Sequence, residues 1–322
     1  MSPNISVKCK DFTGSYFSWN GVHSYSISDL DVTRAISTLG LQSNASYKNP
    51  PTSDQEYRTG IGNIALAFLD FKQNELCLNQ HHSNLDPTEK TFLSYWYGMT
   101  FAKIIAELHM SVPWLQHVDD LRKNGIIKLK TKSKKRGDLV GKDGNKFWHA
   151  IEAKCRSSDS FDLAGLKKSA KKQVQNIKSI NRRKPATHSS AISQLSRSEI
   201  LIHLDDPESY IEDGEDLLFD ERDFFFSYYF GLIQYLSDSQ DAKSYVDKFS
   251  GLKFKIAPLR MPGFFSSLYE NCIENYHIGL HEEIYSHPEN AYFYYERRFS
   301  KLHKESKNIG SDGIAIFKIQ DI

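Results

Sequence analysis

Cysteine is scarce in this chain, and the four present (Cys9, Cys77, Cys155 and Cys272) never stand at C-x-x-C spacing. That scatter argues against a zinc ribbon and against a disulfide framework. There is no run of 18 apolar residues, so no membrane span is expected. Neither sign of charge dominates, since 41 basic and 40 acidic residues leave a net charge of +1. Affinity for a polyanion would therefore have to come from local clustering rather than from the field of the whole molecule. The first residues carry no basic-then-apolar leader pattern, and the chain is expected to be cytoplasmic. In that compartment the N-x-S triplets at Asn4 and Asn44 carry no meaning.

Several common motifs are missing or incomplete. No P-loop and no G-x-S-x-G occurs. Gly60 to Ala65 matches the dinucleotide fingerprint, but the preceding Asp54 to Arg58 is no buried strand. His277 and His281 are four apart, yet position 285 is Tyr285, so H-E-x-x-H is not completed. His81-His82 lacks the rest of an H-N-H pattern. No internal repeat is visible.

What is there is a chain of 322 residues, long enough for a substantial core. Its 25% charged and 39% apolar residues are ordinary for a soluble globular protein. The patterning predicts a helix over 29–39, a loop over 44–55, and a long helix over 87–110 capped by Asp86 and ended by Pro113. Strands are predicted over 125–130, 137–140 and 147–155, then a helix over 162–181 broken before Pro185, and a short strand at 200–204. The aromatic run 224–235 reads as a helix apolar all round, hence buried. Two more helical stretches and a terminal strand over 313–319 complete the chain.

The densest chemical signal is Glu152-Ala153-Lys154, at the end of the apolar run 147–151. Side chains two apart on a strand share a face, so Glu152 and Lys154 point the same way. Burying two charges side by side is costly without a purpose. Two carboxylates with an ammonium beside them could hold a divalent cation against a phosphodiester. Asp138 lies on the preceding strand, and strand parity then constrains the turn. A two-residue Asp143-Gly144 turn would pair Asp138 with His149, on the wrong face. A three-residue loop pairs it with Trp148, and a five-residue loop over 143–147 sets it opposite Glu152. An odd loop is therefore expected, against the tempting D-G turn.

Asp138, a turn signal, an apolar strand ending in Glu152-x-Lys154 and a following Lys-rich helix together resemble the PD-(D/E)xK, or restriction-endonuclease-like, nuclease superfamily. The resemblance covers roughly 88–207, with Gly137 where a proline often precedes the aspartate. It implies an α/β restriction-endonuclease-like core of helix, mixed β-sheet with antiparallel meander, helix and strand. The core would occupy 87–207, between an N-terminal α/β extension (1–86) and a mainly helical C-terminal region (208–322). It further implies Mg²⁺, replaceable by Mn²⁺, on Asp138, Glu152 and the Ala153 carbonyl, with Lys154 catalytic. Gln173 corresponds to a helix glutamine that contacts the site or substrate in several branches. The tyrosine that follows four residues later in the RecB-type branch is Ile177 here. Glu107 is the candidate additional acid, with Asp119 and Asp120 as alternatives, and its other reading is a solvated helix residue.

Lys167, Lys171 and Lys178 fall near one stripe of the following helix, and Lys134 and Lys135 belong to a basic patch before Asp138. Such groups can neutralise phosphates without reading bases; the plainer reading is a solvated helix face. The expectation is a metal-dependent deoxyribonuclease, in prokaryotic anti-phage defence or restriction, with a protein partner or second copy completing the groove. The rival is a non-catalytic subunit that binds nucleic acid or a partner on the same fold.

Overall fold

The computed structural model describes residues 2–39, 54–127, 137–157, 161–206, 212–259, 276–295 and 308–322. Strands β1 (Asn4–Lys10) and β2 (Gly21–Ser26) precede helices α1 (Asp29–Thr38) and α2 (Asp54–Ala67). Short strands β3 (Leu69–Asp70) and β4 (Cys77–Leu78) lead into the long helix α3 (Pro87–Leu108). Next come β5 (Trp114–His117), α4 (Val118–Lys123), β6 (Leu139–Lys142), β7 (Trp148–Arg156) and α5 (Leu163–Val174). Strands β8 (Ile177–Ile180), β9 (Thr187–Leu195), β10 (Ile200–Asp205) and β11 (Glu215–Leu217) follow. The last part holds α6 (Glu221–Asp238), β12 (Lys243–Val246), β13 (Lys253–Pro258), β14 (Tyr276–His281), α7 (Glu282–Ser286), α8 (Ala291–Tyr294) and β15 (Ile314–Lys318).

Contacts group these elements into two units, Met1–Asp29 with Ala67–Phe219, and Leu30–Leu66 with Asp220–Ile322. The expected divisions at 86 and 207 do not coincide with these. Strands β1 and β2 join the main sheet, while α1 and most of α2 group with the C-terminal residues.

The first unit is built on a seven-stranded mixed sheet of order β2-β1-β10-β9-β7-β6-β5. β5, β6 and β7 form an antiparallel meander, and β9 then runs parallel to β7. α3 begins where the sequence predicts, because its start is encoded locally. The Asp86 carboxylate accepts from the N–H of Thr88 and Glu89, and Glu89 accepts from Asp86 N–H at 2.9 Å. Such a cap contributes about 1 kcal/mol.

α3 packs on the sheet face that carries Cys155. A Cβ at Gly98 would stand 3.2 Å from Cys155 Cβ, so glycine permits that close approach. α5 packs on β7 and β9 from the other face. Register carries Glu152 to Ser190 and Ser190 to Asp205, and Lys167 of α5 bonds Asp205. The sheet thus lies between two helical layers.

Two expectations fail in this unit, and one strand was missed. The first meander strand is β5; of the strand expected over 125–130, residues 125–127 form a turn and bend, and 128–130 lie outside the described residues. His117 caps α4 immediately after β5, and Gly125 turns the chain at φ 73°. The helix expected over 162–181 ends at Val174, and the residues after it form β8. Strand β9 was not predicted at all. Its sequence THSSAISQL is polar, yet it is central and almost wholly buried. Several of its polar side chains are hydrogen-bonded: His188 Nε2 lies 2.7 Å from the Ile177 carbonyl, and Ser189 Oγ donates to Thr187 Oγ1 at 3.1 Å, while Ser193 Oγ is buried without a partner among the described residues.

The second unit contains an antiparallel sheet of order β12-β13-β14-β15. The C-terminal region is therefore not mainly helical as expected: β12, β13 and β14 join the anticipated terminal strand β15, and the two further helical stretches are the short α7 and α8. α6 buries Phe224, Phe225, Tyr228, Tyr229, Leu232 and Leu236 at helical spacing. It is amphipathic rather than buried all round, because Phe226 and Phe230 are half exposed. The Asp312 carboxylate is fully buried, accepting from Tyr228 Oη at 2.6 Å with Arg34 Nη1 at 3.8 Å. Among the described residues no helix is long and apolar enough to cross a membrane.

Candidate active site

The hairpin β6–β7 sets the site. Lys142 pairs with Trp148 and Leu139 with Ile151, leaving a five-residue loop over 143–147 and placing Asp138 opposite Glu152. The odd loop is the one that parity required. Asp143 shapes it, its Oδ1 accepting from Asn145 N–H at 2.9 Å and Phe147 N–H at 2.7 Å. The left-handed residue is Lys146 (φ 70°) rather than the glycine. Gly137 precedes the aspartate because space is short there. A Cβ would stand 3.1 Å from Ile177 Cδ1 and 3.3 Å from Val174 Cα.

Asp138 and Glu152 hold each other through the backbone. Asp138 N–H donates to Glu152 Oε2 at 3.1 Å, and Ala153 N–H donates to Asp138 Oδ2 at 3.3 Å. Glu152 is fully buried, whereas Asp138 is half-buried. The Lys154 ammonium forms an ion pair with Glu152 Oε1, and its side chain is 25% exposed. Burial, then the negative charge of Asp138, push the Glu152 carboxyl up to about 8, with Lys154 pulling the other way. Such a pair of carboxyls is one that a cation would relieve.

Asp138, Ala153 and Lys154 line a cleft of about 810 Å³ beside the N-terminal half of α3. Asp138 is the one carboxylate among its lining residues, against the cations Lys90, Lys154, Arg156 and Arg197. Lys90 stands in the first turns of α3, Arg156 two residues beyond Lys154, and Arg197 in the β9–β10 turn. Tyr95 adds an aromatic face that is 39% exposed. Sequence reasoning missed Lys90, Arg156, Arg197 and Tyr95. Only the nearness of Arg156 to the motif could have flagged one of them.

Other predicted residues lie elsewhere. The α3 residues that line the cleft extend from Pro87 to Met99. Glu107 is two turns further on, about 12 Å along the axis, buried and 3.9 Å from Lys103. Asp119 forms a half-exposed pair with Arg122, and Asp120 is buried on α4. Gln173 is half-buried near the end of α5 and is not among the residues lining the cleft. Lys167 pairs with Asp205 at 3.0 Å and Lys171 with Asp11, so both charges are matched within the fold. Lys178 is on β8, not on the helix, which dissolves the expected stripe. Lys134 and Lys135 lie outside the described residues.

No family model, curated protein or solved structure matches this chain.

Proposed function

We propose that this chain is a divalent-cation-dependent phosphodiesterase acting on DNA, with a core of the restriction-endonuclease-like kind. The carrying observation is the pair of bonds from Asp138 N–H to Glu152 and from Ala153 N–H to Asp138, with Lys154 alongside, beside a cleft walled by cations. The order α3, three-stranded meander, α5 and parallel β9 agrees with the core that the motif resemblance implies. The proposal extends, through that resemblance, to a role in prokaryotic defence or restriction.

Asp138 and Glu152, with the Ala153 carbonyl, are the groups that would hold Mg²⁺. Their close carboxyls and the raised Glu152 carboxyl fit a cation better than they fit each other. When bound, Mg²⁺ would lower the pKa of water and polarise the phosphoryl group. Lys154 places its ammonium at the edge of the cleft, where it can stabilise negative charge developing on phosphoryl oxygens. Lys90, Arg156 and Arg197 would hold the backbone phosphates on either side.

The test is incubation of plasmid and single-stranded DNA with the chain, with Mg²⁺ or with a chelator. Cleavage should require the cation and vanish in Glu152→Ala. A metal-dependent activity that survives Glu152→Ala would remove the basis of this reading.

One observation favours the rival, a non-catalytic nucleic-acid- or partner-binding subunit. Lys154 already stands against the buried Glu152, as the partner in a purely structural pair would. DNA retention without cleavage under any divalent cation would select it.

A further inference from the structure

We propose that Cys9, His23 and His109 form a zinc-class metal site, separate from the candidate active site and independent of the nuclease reading. One ligand atom from each residue lies within 4.8 Å of the other two. The three come from different elements: Cys9 from β1, His23 from the adjacent β2, and His109 from the C-terminal cap of α3. They are up to 100 positions apart in sequence.

Cys9 Sγ and His109 Nε2 are 3.3 Å apart. A tetrahedral zinc ion with metal–sulfur of about 2.3 Å and metal–nitrogen of about 2.0 Å spans an S–N edge of about 3.5 Å. The two atoms therefore already stand at nearly the separation that a shared ion imposes. A thiol–imidazole hydrogen bond has a similar length, so this distance alone decides nothing. The third donor and the outer partners of the two rings carry the argument further.

His23 Nε2 lies 2.9 Å from the Trp19 carbonyl. A carbonyl only accepts, so that nitrogen carries the proton and Nδ1 keeps a lone pair. His109 Nδ1 lies 2.7 Å from Tyr25 Oη. With the phenol accepting from Nδ1, the Nε2 lone pair is left facing Cys9. Metal-binding histidines typically have such a partner on the opposite nitrogen, fixing tautomer and ring orientation. The two imidazoles also lie side by side, with centroids 4.6 Å apart.

Register separates this cluster from Glu152. Cys9 pairs with Leu204, Leu204 with Ala191, and Ala191 with Ala153. Cys9 is thus three strand spacings, about 14 Å, from Ala153. It is on the face covered by α3, opposite to the face that bears Glu152. Two nitrogens and a sulfur suit zinc rather than Mg²⁺, which prefers oxygen ligands. Cys9 would give its thiol proton to solvent on binding. Three protein ligands leave the fourth position to water, and the ion would tie β1, β2 and the end of α3 together.

The full chain, stripped with a chelator and dialysed, should be titrated with Co²⁺ and separately with Zn²⁺. One equivalent of Co²⁺ should give a thiolate-to-cobalt band in the near ultraviolet and the intense visible bands of a four-coordinate ion. Zn²⁺ should displace the cobalt and raise Tm. Cys9→Ser should remove the thiolate band, and Tyr25→Phe should weaken affinity about tenfold. Glu152→Gln should leave uptake unchanged. A folded wild-type chain that takes up neither ion, or a Cys9→Ser chain with the same near-ultraviolet band, would overturn the site and leave a thiol–imidazole hydrogen bond.

Discussion

The backbone N–H of Asp138 donates to the side chain of Glu152, fourteen residues later, at 3.1 Å. That bond, with the return bond from Ala153 N–H to Asp138, makes the geometry of the acidic pair a property of the hairpin register. Anything that shifts the register by one residue turns one carboxylate to the opposite face.

Deleting Asn145 should therefore be more damaging than its exposed loop suggests. A four-residue loop would reverse the parity between β6 and β7. The expected outcome is loss of cleavage together with loss of stability. Asp143→Ala should also destabilise, by about 1 kcal/mol, because the buried Asp143 carboxylate no longer accepts from the N–H groups of Asn145 and Phe147. Urea denaturation of both variants checks this; an Asn145 deletion that still cleaves DNA would contradict it.

Lys154→Ala should lower single-turnover cleavage by roughly 10²-fold, by analogy with loss of other electrostatic stabilisers, while DNA still binds. The same change removes the charge that pulls the Glu152 carboxyl down. The rising limb of the pH–rate profile should consequently move to higher pH. Lys154→Arg should not restore the rate, since a guanidinium is neither compact nor readily deprotonated. An unchanged rate with weaker DNA binding would make Lys154 a phosphate anchor.

Stability should fall with rising pH because of Glu152. Its carboxyl is pushed from an ordinary 4.5 up to about 8 in the folded chain. Between those values the folded state keeps a proton that the unfolded state has released, so unfolding loses one and stability declines with pH. The contribution is complete below 4.5 and gone above about 8. Relative to Glu152→Gln, wild type should lose Tm progressively across that window, and added Mg²⁺ should return part of the loss. A difference in Tm that does not vary with pH would be the contrary result.

Neutralising Lys90, Arg156 and Arg197 should weaken DNA binding at all sequences alike. The salt slope should fall by about one unit per lost phosphate contact. Neutralising Lys167 and Lys171 should do much less to binding, since Asp205 and Asp11 already match them. Affinity measured against salt for both sets separates cleft from helix; the reverse ranking would restore the helix stripe.

What the amino-acid sequence determined by itself was what short spacings encode. The Asp86–Glu89 capping box and the shared face of Glu152 and Lys154 depend on residues within a few positions of one another, and the parity demand for an odd loop on the fourteen residues of one hairpin. The tertiary structure alone decided the rest. It selected five residues for the loop, because Asp143 bonds the N–H groups at 145 and 147. It made polar β9 a central strand, with His188 and Ser190 bonded to the carbonyls of Ile177 and Asp205. It laid a four-stranded sheet through a C-terminal region expected to be mainly helical, and it brought Cys9, His23 and His109 together from three elements. A hydrogen bond or ligand pair that closes over many tens of residues leaves no periodic trace in the sequence, and so only the folded chain reveals it.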